Sequence, residues 1–195
     1  MQHETPGSGE LTLIRHAPIA EPGRLCGRTD PPARIDPARI AALRAALPAP
    51  GALVSSPALR CRQTAGVLWP ERPATPDATL WEQDFGAHDG LPYAELPDLG
   101  PLDGAALAQW TPPGGESFAD LCTRVRPALL RHGRQAAQAG APVVLVVHAG
   151  VIRAALSQVM GAVHAGLAFE IATLSVTRLR CGVEGPFSVI EAGRT

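Results

Sequence analysis

Pro142-Val-Val-Leu-Val-Val-His148-Ala-Gly150 decides the fold, because five consecutive apolar residues rich in valine run straight into a histidine. A strand that is apolar at every position is covered on both faces, as in a parallel sheet flanked by helices. Helical residues from Gly150 to about Met160 follow at once, so the unit is a strand, a histidine at its carboxyl end and a helix. The same order opens the chain. Leu11-Thr-Leu-Ile-Arg15-His16 is a short apolar run ending in histidine, and a Pro- and Gly-rich loop from Ala17 to Pro32 follows it. Asp36-Pro37 then supplies a cap and a first-turn proline for a helix carrying Ile40, Leu43 and Leu47.

Working outward, Gly51-Ala-Leu-Val-Ser55 reads as another strand, and Ser56-Pro57 reads as the cap of a helix running to about Leu68. Trp81 to Gly115 is dense in Gly, Pro and Asp, the composition of a long binding loop. Ser117-x-x-Asp120 resembles a capping box, and Phe118, Leu121, Val125 and Leu129 mark the buried stripe of a helix to about Gln138, with Pro127 inside it. Two β-rich runs, Phe169 to Arg180 and Pro186 to Ala192, form a terminal hairpin. The pattern predicts an α/β fold: a three-layer sandwich with a mostly parallel central sheet, an antiparallel edge strand and helices on both faces. A flexible N-terminus over 1–9 precedes a single domain over 10–195, with neither an internal repeat nor a linker.

The chain has 195 residues, of which 46% are hydrophobic and 18% charged, with a formal net charge of −1. That balance opposes nucleic-acid binding through a global positive field. All 17 basic residues are arginine, so Schiff-base and P-loop lysines are excluded and any phosphate is held by arginine, histidine or backbone. Cys26, Cys61, Cys122 and Cys181 lack C-x-x-C spacing, and the expectation is free thiols in a reducing compartment. Met1 to Glu10 has neither the charged start nor the apolar core of a secretory signal, and no run is long enough for a membrane helix. The expected setting is the cytoplasm, with no membrane partner.

In open α/β sheets, ligands bind beyond the carboxyl ends of the strands, so His16 and His148 should face one crevice. Either histidine alone would more often be structural. Two at matching strand ends, with Arg15 beside the first and Arg60 one turn into a helix whose free N–H groups favour anions, make a pocket for a dianion. Nearby cations would keep His16 neutral, which is the nucleophilic form. Glu82 is the candidate proton donor to a leaving alkoxide, with Asp84 and Asp89 as weaker competitors. No metal is required: there is no H-x-H or H-E-x-x-H, and His88-Asp89 reads as a polar loop contact. His3, His132 and His164 are read as surface or structural residues.

These residues together resemble the histidine phosphatase superfamily, also called phosphoglycerate mutase-like, over about residues 10 to 192. Its Arg-His-Gly strand end is Leu13-Ile14-Arg15-His16-Ala17 here, and its Ser-Ser/Asp-x-x-x-Arg-x-x-x-Thr-Ala pattern is Ser55-Ser-Pro-Ala-Leu-Arg60-Cys-Arg-Gln-Thr64-Ala65. Leu80-Trp-Glu82-Gln-Asp-Phe85-Gly86 matches its glutamate motif, Pro113 to Ser117 its Pro-Gly-Gly-Glu-Ser segment, and Val146-Val-His148-Ala-Gly150-Val-Ile-Arg153 its second histidine motif. Ala17 and Ala149 stand where the family has glycine, and His88-Asp89 where it has Trp-Glu.

The resemblance implies a phosphohistidine on His16, phosphate contacts from Arg15, Arg60 and His148, and Glu82 as proton donor and then base. Cys26-Gly27-Arg28-Thr29-Asp30-Pro31-Pro32 resembles the Gly-x-Thr-Asp-x-Pro segment of small members, especially the α-ribazole phosphatases of cobalamin assembly, and places Arg28 as a substrate-binding residue. The implied function is a metal-independent, cofactor-free phosphatase for a small-molecule phosphate ester, acting as a monomer or homodimer. A mutase-type phosphoryl transferase and a non-catalytic phospholigand-binding protein are the alternatives.

Overall fold

Every residue of Val143–Val147 is buried, because successive side chains feed two different apolar layers. Val143, Leu145 and Val147 join one cluster, and Val144 and Val146 the other. The computed structural model describes residues 8–195. In chain order its main elements are β1 (Gly9–Arg15), α1 (Pro37–Ala46), β2 (Ala52–Ser55), α2 (Leu59–Leu68), β3 (Thr75–Pro76), α3 (Gly104–Gln109), α4 (Phe118–Ala139), β4 (Val143–Val147), α5 (Ala149–Met160), β5 (Val176–Gly182) and β6 (Gly185–Arg194). Residues 1–7 of the expected flexible N-terminus lie outside the described residues, and Gly9 already pairs in β1.

The six strands form one sheet in the order β3-β2-β4-β1-β5-β6. β3, β2, β4 and β1 run parallel, whereas β5 and β6 are antiparallel to their neighbours. One apolar cluster joins Leu11 and Leu13 of β1 to α4 and α5; the other joins Ile14 to Ile40 of α1 and to Cys61, Ala65 and Leu68 of α2. The architecture is therefore the expected three-layer α/β sandwich. Among the described residues no helix is long and apolar enough to cross a membrane.

Local chemistry explains most boundaries. Asp36 accepts from the Ala38 and Arg39 amides at the start of α1, and Ser117 and Asp120 form a reciprocal capping box on α4. Two expectations need correction. Ser56-Pro57 does not cap α2: that helix begins at Leu59, whose N–H donates to Asp30 from a distant loop at 2.7 Å. The strand expected from Phe169 starts only at Val176, because the chain turns at Thr173-Leu174, where Leu174 lies in the left-handed region at φ 62°. The Gly-, Pro- and Asp-rich segment from Trp81 to Gly115 is largely irregular, as expected, and holds three short helical pieces, α3 and two 3₁₀ turns.

Candidate active site

Strand register carries distant motifs to one edge. Arg15 lies opposite Val147 in the β1–β4 pair, and Ser55 opposite Val146 in the β2–β4 pair. The residues immediately beyond, His16, Ser56 and His148, must therefore meet. His16 N–H donates to Val147 O at 2.9 Å and Ser56 N–H to Val146 O at 3.0 Å, and the two imidazole centroids are 5.2 Å apart at 68°.

His16 is buried, with Nδ1 2.7 Å from the Ala17 carbonyl. A carbonyl only accepts, so Nδ1 carries the proton and Nε2 keeps its lone pair. Burial, and then the charges of Arg60 and Arg15, push the ring down to a pKa of about 3, so it is neutral at pH 7. His148 is wholly buried, with Nε2 2.8 Å from Ser56 Oγ, and burial together with His16 and the surrounding arginines holds it well below its ordinary value. Trp81 lies nearly parallel to its ring, with centroids 6.5 Å apart.

The two expected phosphate-binding arginines are held differently. Arg15 donates from one Nη to Ile171 O at 2.5 Å. Arg60, with 0% exposure, donates to the carbonyls of Thr29 (3.0 Å), Cys26 (3.3 Å) and Gly27 (2.9 Å), with Asp30 at 3.5 Å. Both retain a buried Nε–H without a partner among the described residues. A buried unpaired guanidinium donor is costly, and an anion would satisfy both.

Glu82, 8% exposed, accepts from Gly150 N–H at 3.2 Å at the start of α5 and from Gln83 N–H at 3.0 Å. A Cβ on Gly150 would overlap the Glu82 carboxylate, so this glycine makes room for the acid. Arg124 holds the Glu82 segment from behind. It donates to the carbonyls of Thr79 (2.7 Å), Trp81 (3.1 Å) and Glu82 (3.1 Å) while pairing with Glu116 at 2.6 Å. Arg15, His16, Arg60, Glu82 and Gly150 all line one cavity of about 440 Å³.

The histidine phosphatase superfamily (branch 1) model matches residues 11–190, nearly the whole chain. The protein belongs to that superfamily. Glucosyl-3-phosphoglycerate phosphatase of Mycolicibacterium vanbaalenii is 34% identical over 121 residues, covering 56% of this chain and 53% of the relative. A bifunctional protein of Mycobacterium tuberculosis is 32% identical over 187 residues, covering 85% and 49%. The chain thus spans about half the length of the curated relatives it matches. Among solved structures, a mycobacterial glucosyl-3-phosphoglycerate phosphatase with inorganic phosphate superposes with a TM-score of 0.81 at 26% identity, covering 96% of this chain and 98% of that one. A Thermus thermophilus protein superposes at 0.72 with 29% identity, covering 95% and 99%.

This member's departures from the superfamily pattern have local explanations. Ala17 is buried in the apolar cluster beneath α1 and α2, and its N–H donates to Thr64 Oγ1 at 2.9 Å while that hydroxyl donates to Arg60 O at 2.7 Å. Its methyl therefore belongs to the core. Ala149 is in the cavity wall, whereas Gly150, where a side chain would strike Glu82, remains glycine.

Other candidates take structural posts. Asp89 accepts from the amides of Gly27 (3.2 Å), Arg28 (2.6 Å) and Thr29 (3.1 Å), and Asp84 accepts from Gly86 N–H at 2.9 Å. His88 stacks on Trp110, and His132 pairs with Asp77 at 3.0 Å. Arg28 lies outside the cavity wall: it sits over Trp81 at 5.6 Å and pairs with Asp84 at 3.7 Å and with Glu116 at 4.0 Å. Sequence reasoning assigned no role to Arg24, Tyr93, Arg153 or Thr173, which all line the cavity. Only Arg153 carried a signal, as the last residue of the second histidine motif.

Proposed function

We propose that the protein hydrolyses a small-molecule phosphate monoester through a phosphohistidine on His16, without a metal ion. The observation that carries this reading is the neutral His16 with Nε2 free, in one cavity with two arginines whose Nε–H donors lack partners and with a single carboxylic acid. His16 Nε2 attacks phosphorus, the P–O bond to the alcohol breaks, and Glu82 supplies the alcohol's proton. Water then attacks the phosphorus, Glu82 takes its proton, the P–N bond breaks, and inorganic phosphate leaves. Arg15 and Arg60 stabilise the charge on the transferring group. His148, too buried to serve as proton carrier in its present contacts, backs His16 and reaches the phosphoryl group by exchanging its bond to Ser56.

Two finer substrates are in view. The segment from Cys26 to Pro32 favours α-ribazole 5′-phosphate by resemblance, but its backbone carbonyls orient Arg60 and its Asp30 caps α2, which any phosphate ester would need. The relatives named as glucosyl-3-phosphoglycerate phosphatases favour a glycerate ester. The free thiols of all four cysteines fit a cytoplasmic setting. The test is phosphate release in excess chelator from p-nitrophenyl phosphate, α-ribazole 5′-phosphate, glucosyl-3-phosphoglycerate and glycerate phosphates. Turnover that disappears in His16→Ala is expected. Turnover surviving that substitution, activity only with a bisphosphate primer, or tight binding without release would overturn the proposal.

A further inference from the structure

Arg60 is a buried cation whose closest partners are backbone carbonyls. Its two Nη groups donate to Cys26 O (3.3 Å), Gly27 O (2.9 Å) and Thr29 O (3.0 Å). Nε–H lacks a partner and is left for an anion. Asp30 is the one carboxylate in contact with it among the described residues, at 3.5 Å, and the same Oδ1 already accepts from Leu59 N–H at 2.7 Å. A fully buried guanidinium that shares one partly exposed carboxylate calls for a further source of negative charge.

Asp89 supplies it at second hand. Its carboxylate accepts from the N–H groups of Gly27 (3.2 Å), Arg28 (2.6 Å) and Thr29 (3.1 Å). The Gly27 N–H belongs to the same peptide group as Cys26 C=O, and the Arg28 N–H to the same group as Gly27 C=O. In a trans peptide those two bonds point in opposite directions. Two successive peptide groups therefore lie between Asp89 and Arg60, each with its N–H on the carboxylate and its C=O on the guanidinium. Both dipoles are aligned by the ion on either side, and hydrogen bonds in series strengthen one another. Gly27 makes this approach possible, because a Cβ there would run into Gln83 O and crowd the Asp89 carboxylate.

The position of Asp89 is set from elsewhere. Its N–H donates to Gly86 O at 3.1 Å, and Gly90 N–H donates to Leu25 O at 2.6 Å. The His88 ring stacks on Trp110 at the end of α3, with centroids 5.6 Å apart. The loop that carries the carboxylate is thus fixed on both sides of it. A loop staple would need only an acceptor at position 89, whereas support for a buried cation needs the charge.

We infer that Asp89 is a positioning residue of the phosphoryl site, acting through the Cys26–Gly27 and Gly27–Arg28 peptide groups to orient Arg60 and offset its charge while Nε–H stays free for phosphate. This rests on the phosphatase reading above and adds to it a residue that touches no substrate.

The experiment reads kcat/KM with p-nitrophenyl phosphate, and the affinity for inorganic phosphate by titration calorimetry. Asp89→Asn, which keeps an acceptor and loses the charge, should lower both by about tenfold. Asp89→Glu, which keeps the charge, should stay within about threefold of the unsubstituted protein. On an Arg60→Met background, Asp89→Asn should change kcat/KM by less than about twofold, because the group it acts through is gone. An equal loss with and without Arg60 would overturn the relay and leave a loop staple. The phosphate affinities need no Arg60 variant, and they decide the matter if Arg60→Met is unfolded or inactive. Affinity should follow the carboxylate, so Asp89→Glu binds phosphate more tightly than Asp89→Asn whatever the order of their melting temperatures. Asp89→Asn binding phosphate like the unsubstituted protein, or Asp89→Glu binding it no better than Asp89→Asn, would overturn the inference. Failure of the phosphatase reading would show separately, as no phosphate release from p-nitrophenyl phosphate while Asp89→Asn still weakens phosphate binding.

Discussion

The floor and the rim of the cavity are built by opposite means. On the floor, Arg15, His16, Arg60 and Glu82 sit on strand ends, a helix and a turn, the last three buried and Arg15 half-buried, all fixed by backbone partners. At the rim, Arg24 and Arg28 are half exposed, project from loops and meet carboxylates only at 3.7 to 4.0 Å. Groups that must bear developing charge need fixed geometry in a dry place, while groups that select a leaving group can be looser. Substitutions on the floor should therefore change the rate steeply, and those at the rim should change preference.

The steepest break short of replacing a reacting side chain is Gly150→Ala. The added Cβ overlaps the Glu82 carboxylate and displaces the acid, with an expected loss of about 100-fold in kcat, within the range attributed to general acid–base groups. The same substitution made on Glu82→Gln should add little, and a full additional loss there would show that Gly150 acts elsewhere. Arg124→Met removes the clamp behind Glu82. It strands three carbonyls and Glu116, so kcat should fall about tenfold with KM nearly constant, and stability should drop by about 1–3 kcal/mol. A change in KM alone would contradict a positioning role.

Acid pH sharpens the contrast thermodynamically. His16 is neutral when folded down to about pH 3, whereas unfolded histidine binds a proton near 6.5. The unfolded state therefore takes up more protons as the pH falls through 6.5, and stability declines by roughly 2 kcal/mol between pH 6.5 and 5 from this residue. Thermal unfolding should show a shallower acid slope in His16→Gln than in the unsubstituted protein; parallel slopes would refute the buried neutral imidazole. At the rim, Arg28→Ala should alter kcat/KM by no more than about threefold, since its pairs are exposed. A loss of 100-fold would put Arg28 back among the substrate contacts.

The floor was largely legible in the sequence, and the reason is register. Apolar runs ending in His16 and His148 read as parallel strands, and parallel pairing brings their ends together whatever the loops do. Arg60 was legible as a helix-start arginine, although its burial under three carbonyls depends on how the loop from Cys26 to Thr29 folds back. The rim was not legible. Arg24 and Thr173 reach the cavity through loop paths that no periodicity encodes, and the two-residue β3 is too short to leave a pattern. Asp30 as the cap of α2 links positions 29 residues apart, beyond any local capping signal. Leu174 misled the strand reading because its apolar side chain is buried from a left-handed turn rather than from a strand.

The central claim is that His16 carries the phosphoryl group. Rapid mixing with a ³²P-labelled ester followed by quench should trap a phosphoprotein in the Glu82→Gln variant, where both proton steps are slowed. The account predicts an acid-labile, alkali-stable label on the peptide containing His16, absent from His16→Ala. Label on any other residue, or turnover in Glu82→Gln with no phosphoprotein at any time point and full activity in His16→Ala, would contradict it.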